Sequence, residues 1–220
     1  DADGTVDLRR YAALFDEPRF STFVVVTALF SFAYNSVVAF LPLFLTAEVG
    51  LAPTTANLLY SALFVVSLVQ LGTGEASDRV GVLPVLVGTL GVATAGLGAL
   101  VVLAGGATAT APATGGVLGV TVDARTLAMG AAVVALGLGS HGYRPARGAY
   151  LMDVLPGDVS GGGLGAVRTL LMGAGAVGPA VVGYLSETAG FVAAFSVLVA
   201  ALACATALTA ALWALDRRSR

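Results

Sequence analysis

The chain has 220 residues, of which 57% are hydrophobic and 11% charged, with a net charge of −2. A soluble domain carries about 25% charged residues, so this chain has too few polar side chains to cover a water-facing surface, and its mean hydropathy is +0.92. No basic run with interleaved aromatics is present, which argues against a nucleic-acid binder, and the lone Cys204 rules out an intrachain disulfide or a cysteine metal site.

Asp1 opens the chain without a methionine or a leader before the first apolar stretch, which fits a portion of a longer protein. Uncharged stretches run from Phe20 to Ala47, Val49 to Gly74, Val80 to Val122 and Thr188 to Leu215. A helix crosses a hydrocarbon core of ~30 Å with roughly 20 apolar residues. The pattern predicts an all-α membrane protein of six transmembrane helices, near 20–46, 54–74, 82–104, 127–152, 164–185 and 190–214.

In the first span Ser31, Tyr34, Asn35 and Ser36 fall near mid-depth, and Asn35 is expected to face the bundle because an unpartnered amide in lipid is costly. Glu48 to Pro53 reads as a turn, with Thr54 or Thr55 placed to cap the second helix. Asn57, Tyr60 and Gln70 are weaker polar candidates in that helix. Gly74 to Gly81 forms the next turn, where Gly74 and Gly81 allow a tight bend and close helix approach. Asp78 there is suited to facing a helix N-terminus, and Arg79 to anchoring at the headgroups. Residues 105–126, rich in Gly, Ala and Thr, are expected to be a loop, and Pro156 to Gly163 a break.

The fourth span carries His141, Arg144 and Arg147, loosely on one face, with Tyr143 and Tyr150 adding hydroxyls. Two readings stay open. Either these cations line a central cavity and meet an anionic or polar solute, or Pro145 ends the helix early and the arginines snorkel to the headgroups. His141 could titrate near neutral pH or serve as an interhelical hydrogen bonder. Gly173, Gly175, Gly178, Pro179 and Gly183 predict close packing and a kink in the fifth span. Every carboxylate falls at a predicted end or loop, so these spans supply no obvious proton carrier.

Charge sets the orientation. Arg9, Arg10, Arg19, Arg79, Arg144, Arg147, Arg168, Arg217, Arg218 and Arg220 fall on the side of the termini, and Arg125 alone falls opposite. Arginine marks the cytoplasmic side, so both termini are expected to be cytoplasmic in a cell (plasma or inner) membrane. The segments Gly74 to Gly81 and Gly183 to Gly190 both read G-x-x-S-[acid]-x-x-G and fall on opposite sides, as an inverted three-plus-three repeat requires.

At Gly74 to Gly81 the chain resembles the loop signature of the major facilitator superfamily, G-x-x-x-D-R-x-G, although Val82, Leu83 and Pro84 stand where that pattern often continues with basic residues. Pro145, Ala149-Tyr150, Asp153 to Pro156, Gly178-Pro179 and Gly183 resemble the family's tenth and eleventh helices, and Phe40 to Leu43 the outer end of its seventh. The resemblance implies the C-terminal half of a twelve-helix fold. Residues 1–19 become the end of the central cytoplasmic linker, 20–104 the first three-helix repeat, 105–126 an extracellular loop, 127–214 the second repeat, and 215–220 a cytoplasmic tail. It further implies a partner, the N-terminal six-helix half of the same protein. The solute would move by alternating access, as in secondary active transport, with Gly74, Asp78, Arg79 and Gly81 as a gating loop and Tyr34 and Asn35 among the solute contacts. Neither metal nor organic cofactor is implied. Drug-like and metabolite efflux fits the small apolar residues, and an anion fits the arginines. The alternative is a non-transporting membrane receptor or scaffold. An intramembrane enzyme lacks its parts: His141 is the sole histidine, and Ser140 beside it points elsewhere on the helix.

Overall fold

The computed structural model describes residues 14–106, 115–117, 120–154 and 160–219. They form six long helices. Helix α1 covers Pro18–Leu43 and widens into a π-helical turn at Phe44–Glu48. Helix α2 is built of Pro53–Val65 and Val69–Val80, joined by a 3-10 turn at Val66–Leu68. Helix α3 is Val82–Gly105, α4 Ala124–Val154, α5 Ser160–Thr188 and α6 Phe191–Ser219.

The six helices sit where the six expected spans place them, and several run past the expected limits. Helix α2 continues from 74 to Val80, and α4 passes through Pro145 to Val154. Two local expectations are corrected. Pro53, pre-set for a first helical position by its fixed φ, starts α2, and Ala52 rather than a threonine takes the cap position. Helix α5 starts at Ser160, so Gly161 to Gly163 lie inside it, while 155–159 and 107–114 fall outside the described residues. The 105–126 loop holds a short antiparallel hairpin, β1 (Gly115–Val117) with β2 (Val120–Val122), whose valines and threonine favour a strand. The hairpin is confined to two three-residue strands, and among the described residues the fold is all-helical otherwise.

Buried residues recur at helical spacing. In α1 they are Phe23, Val26, Phe30, Ala33, Val37 and Leu41, and in α3 Leu86, Leu90, Ala93, Leu97 and Leu100. The outward faces are apolar as well: Leu68 is 73% exposed, Leu71 80% and Val102 72%. At about 25 cal/mol per Å² of apolar area, such a surface is stable in lipid and not in water. Among the described residues four helices are long and apolar enough to cross a membrane, α1, α2, α3 and α6. Helix α4 is diluted by its histidine and arginines, and α5 by its glycines and Arg168.

Helix α3 packs along α4 and α6, α1 along α5 and α6, and α2 against α4. One end of the bundle gathers the start of α1, the α2–α3 turn and the ends of α4 and α6 around an open recess of about 610 Å³. There Arg19 approaches Asp216 at 3.9 Å, and the Arg217 guanidinium stacks on Trp213 at 4.3 Å. At the opposite end Arg125 donates from Nε and Nη2 to the Leu103 carbonyl at 3.3 and 3.1 Å. The one arginine that breaks the charge segregation thus satisfies a helix C-terminus, where a cation is favoured.

Candidate functional site

The candidate site is built on α4, and glycines decide how α4 sits. A Cβ at Gly139 would strike the Ala93 backbone nitrogen, and one at Gly137 would come within 2.9 Å of the Leu63 carbonyl. In return a Cβ on Gly96 of α3 would lie 2.5 Å from the Leu136 nitrogen. Small residues let these backbones touch, so α4 is pressed against α2 and α3. His141 and Arg144 are left facing α1.

The Arg144 guanidinium lies over the Tyr34 ring, 4.7 Å from its centroid. Tyr34 is near the middle of the span Pro18–Glu48, and at 1.5 Å per residue it stands about 24 Å from Pro18. Helix α4 does not end at Pro145 but runs on to Val154, so the early helix end is corrected and Arg144 stands in the helix interior. Arg147, half-buried, is one turn further on. Neither arginine forms an ion pair among the described residues, whose pairs are Arg19–Asp216 and Arg79–Glu75.

His141 is 3% exposed, and both of its ring nitrogens are buried without a hydrogen bond. The Leu63 carbonyl approaches the ring, but not in hydrogen-bonding geometry. The imidazole stands edge-on to Tyr34, centroids 5.9 Å apart, and 6.1 Å from Phe64 of α2. Buried polar atoms are paired in the great majority of cases, so this one calls for an explanation.

The structure brings Tyr34, His141 and Arg144 together and leaves other expected residues aside. Asn35 is exposed and turns toward α5, donating to the Ser31 carbonyl at 3.0 Å, and its amide fills the space where a Gly175 side chain would sit. Adjacent helical residues point about 100° apart, which separates Asn35 from the arginines. Tyr143 is buried, its hydroxyl 3.2 Å from the Thr27 hydroxyl and so engaged, and its ring is tilted against Phe30 with centroids 4.4 Å apart. Tyr150 packs on Phe23 at 4.5 Å near the recess. Phe64 and its neighbour Tyr60, 5.1 Å apart, were not legible as a pair with His141. Their i, i+4 spacing on α2 is the signal that could have found them.

At the α2–α3 turn, Gly81 takes φ +93°, a region open to glycine at little cost. Gly74 has open space around it, so no close helix approach occurs there among the described residues. Asp78 is exposed in the last turn of α2, and Arg79 pairs with Glu75 one turn back. The α5–α6 turn repeats the geometry. Gly190 takes φ +86° as Gly81 does, and Ser186 donates to the Gly183 carbonyl at 2.8 Å as Ser77 donates to that of Gly74 at 2.7 Å.

A family model described as Major Facilitator Superfamily matches residues 22–220, and among curated proteins no relative matches. The match takes in nearly every residue that builds the six helices.

Proposed function

We propose, on the premise that this chain belongs to the major facilitator superfamily of membrane transporters, that it forms one six-helix half of a secondary transporter. That protein moves a small solute across a cell membrane by alternating access, with both termini cytoplasmic and a second six-helix half as the opposite wall. The observation that carries this reading is Arg144, a cation in the interior of α4, set over the ring of mid-span Tyr34 in a bundle whose outer surface is apolar. Ionisable groups at membrane depth mark solute and ion pathways. Tyr34, His141, Arg144 and Arg147 form the solute-facing group, and Asn35 contributes from the α5 side.

Two further observations support an inverted repeat. Exchanging α1 with α4, α2 with α5 and α3 with α6 carries the packing onto itself: α1 on α5 becomes α4 on α2, and α1 on α6 becomes α4 on α3. The two turns also share their backbone and their serine hydrogen bond. Gly74, Asp78, Arg79 and Gly81 form the gating loop in this reading, because the cytoplasmic copy alone carries an arginine.

The test is flux into sealed vesicles carrying the full-length natural protein, over a panel of labelled small solutes. Solute-dependent uptake above empty vesicles is expected, and binding without flux would favour a receptor. Gly81→Ala and Gly190→Ala sharpen the gating role. Each places a side chain at positive φ for about 1–2 kcal/mol, so thermal unfolding should fall alike in both. Only Gly81→Ala should slow flux several-fold, and equal slowing in both would remove the special role of the loop.

A further inference from the structure

We infer that the solute recognised at this site is an organic monoanion with a flat apolar body, its acid group set against Arg144 and His141 and its body against Tyr34, Tyr60 and Phe64. The inference deepens the transport reading and rests on it.

Charge points to the sign. Arg144 and Arg147 lie in the interior of α4, and the carboxylates of the described residues sit at or near helix ends: Asp16, Glu17, Glu48, Glu75, Asp78, Asp123, Asp153, Glu187 and Asp216. An unpaired guanidinium away from bulk water costs several kcal/mol, and a well-placed anion offsets much of that. A guanidinium also binds a carboxylate through parallel hydrogen bonds. His141 points the same way, since one ring nitrogen always carries a proton to donate and neither has a partner here. A cationic solute would meet two arginines and, among the described residues, no acid beside them.

The rings point to the body. Tyr60 and Phe64 stand edge to face, Phe64 is 38% exposed, and Tyr34 is half-buried beneath Arg144. Away from Arg144 and His141 these walls offer only the Tyr34 and Tyr60 hydroxyls as side-chain donors. A strongly hydrated ion such as sulfate would leave the apolar ring faces unused. An aromatic ring would gain area burial and stacking on all three.

The experiment uses the full-length natural protein in detergent and three probes that share one ring system: 2-naphthoate, 2-naphthamide and 2-naphthylmethylamine. Only the carboxylate is expected to raise the thermal unfolding midpoint saturably. Arg144→Gln should weaken its apparent affinity at least tenfold, and Phe64→Ala several-fold while keeping the preference for the anion. Equal shifts from all three probes, a shift from the amine alone, or none from the carboxylate would overturn the inference. So would a naphthoate shift unchanged in Arg144→Gln, the result expected if a carboxylate elsewhere in the protein neutralises that arginine. The transport reading fails separately, through anion binding with no flux of any solute in sealed vesicles.

Discussion

The two faces of α4 solve opposite problems within the same few turns. Toward α2 and α3 the helix presents Gly137, Gly139 and Gly142, and the neighbouring backbones leave no room for a methyl group at the first two. Toward α1 it presents His141 without a hydrogen bond and Arg144 without a counter-ion among the described residues. The first face is filled as closely as backbone allows, and the second is left with its polar capacity unspent. The contrast shows how the fold holds this arrangement: the glycine seam fixes the rotation of α4 against α2 and α3, and with it the side of the helix that carries Arg144. A binding group is effective when rigid elements hold its rotamer.

The largest effect should come from the seam. In Gly139→Leu the side chain would occupy the place of the Ala93 nitrogen and Thr89 carbonyl. Neither backbone group can rotate away, so α3 and α4 must separate. Overpacking of a filled core costs typically about 1–3 kcal/mol, and backbone-to-backbone contact puts this substitution at the upper end or beyond. Detergent-solubilised protein should unfold at a much lower temperature or fail to give a monodisperse peak. A variant that stays folded at the wild-type midpoint would show the seam to be looser than drawn.

A smaller effect is expected on the open face. Stacking of a guanidinium on an aromatic ring contributes about 0.5–2 kcal/mol. Tyr34→Phe keeps the ring under Arg144 and should be near neutral, whereas Tyr34→Ala removes it. A double-mutant cycle of Tyr34→Ala with Arg144→Gln, read by unfolding in denaturing detergent, should give a coupling energy in that range. Coupling indistinguishable from zero would mean the two side chains do not meet, and the contrast between the faces would lose its polar half.

How far the site was legible follows the same division. The uncharged stretches marked four of the helices because lipid requires length and apolarity, which a sequence displays directly, and the polar punctuation around 127–152 and 164–185 marked the other two. The acid-to-glycine turns were readable because Gly81 and Gly190 are backbone requirements. Facing was not readable. When lipid-facing and bundle-facing residues are both apolar, helical periodicity carries little information about which side is which, so Asn35 was expected to join Tyr34 but lies toward α5. Pro145 admitted both a helix end and a helix interior, and only the packing of α4 resolves it. The 3-10 turn at Val66–Leu68 has no glycine or proline to announce it. Its nearest sequence signal is the β-branched pair Val65-Val66, a weak helix former.

The smallest effect belongs to the end of α4, where both faces begin. The Asp123 carboxylate accepts a hydrogen bond from the Thr126 amide at 2.7 Å, and its neighbour Arg125 ties α4 to the last carbonyls of α3. Hydrogen bonding from Thr126 holds this carboxyl below its ordinary value. A carboxyl with a depressed folded pKa contributes stability that is complete above its unfolded value, about 3.9, and is lost as pH falls through the lower folded one. Between pH 7 and 5 the cap should therefore be constant, and below pH 4 it should fade. Asp123→Ala should cost about 0.5 kcal/mol, the low end for an N-cap because the group is exposed. Asp123→Asn keeps a capping oxygen and should match wild type near pH 7. Other acids titrate in the same window, so the informative quantity is the gap between wild type and Asp123→Asn in unfolding midpoint from pH 7 to 3. If this cap sets the register of α4, the gap should be carried equally by a Gly139→Ala background and a Tyr34→Phe background. A gap that changes in one background only would show that one face fixes the helix without help from its end.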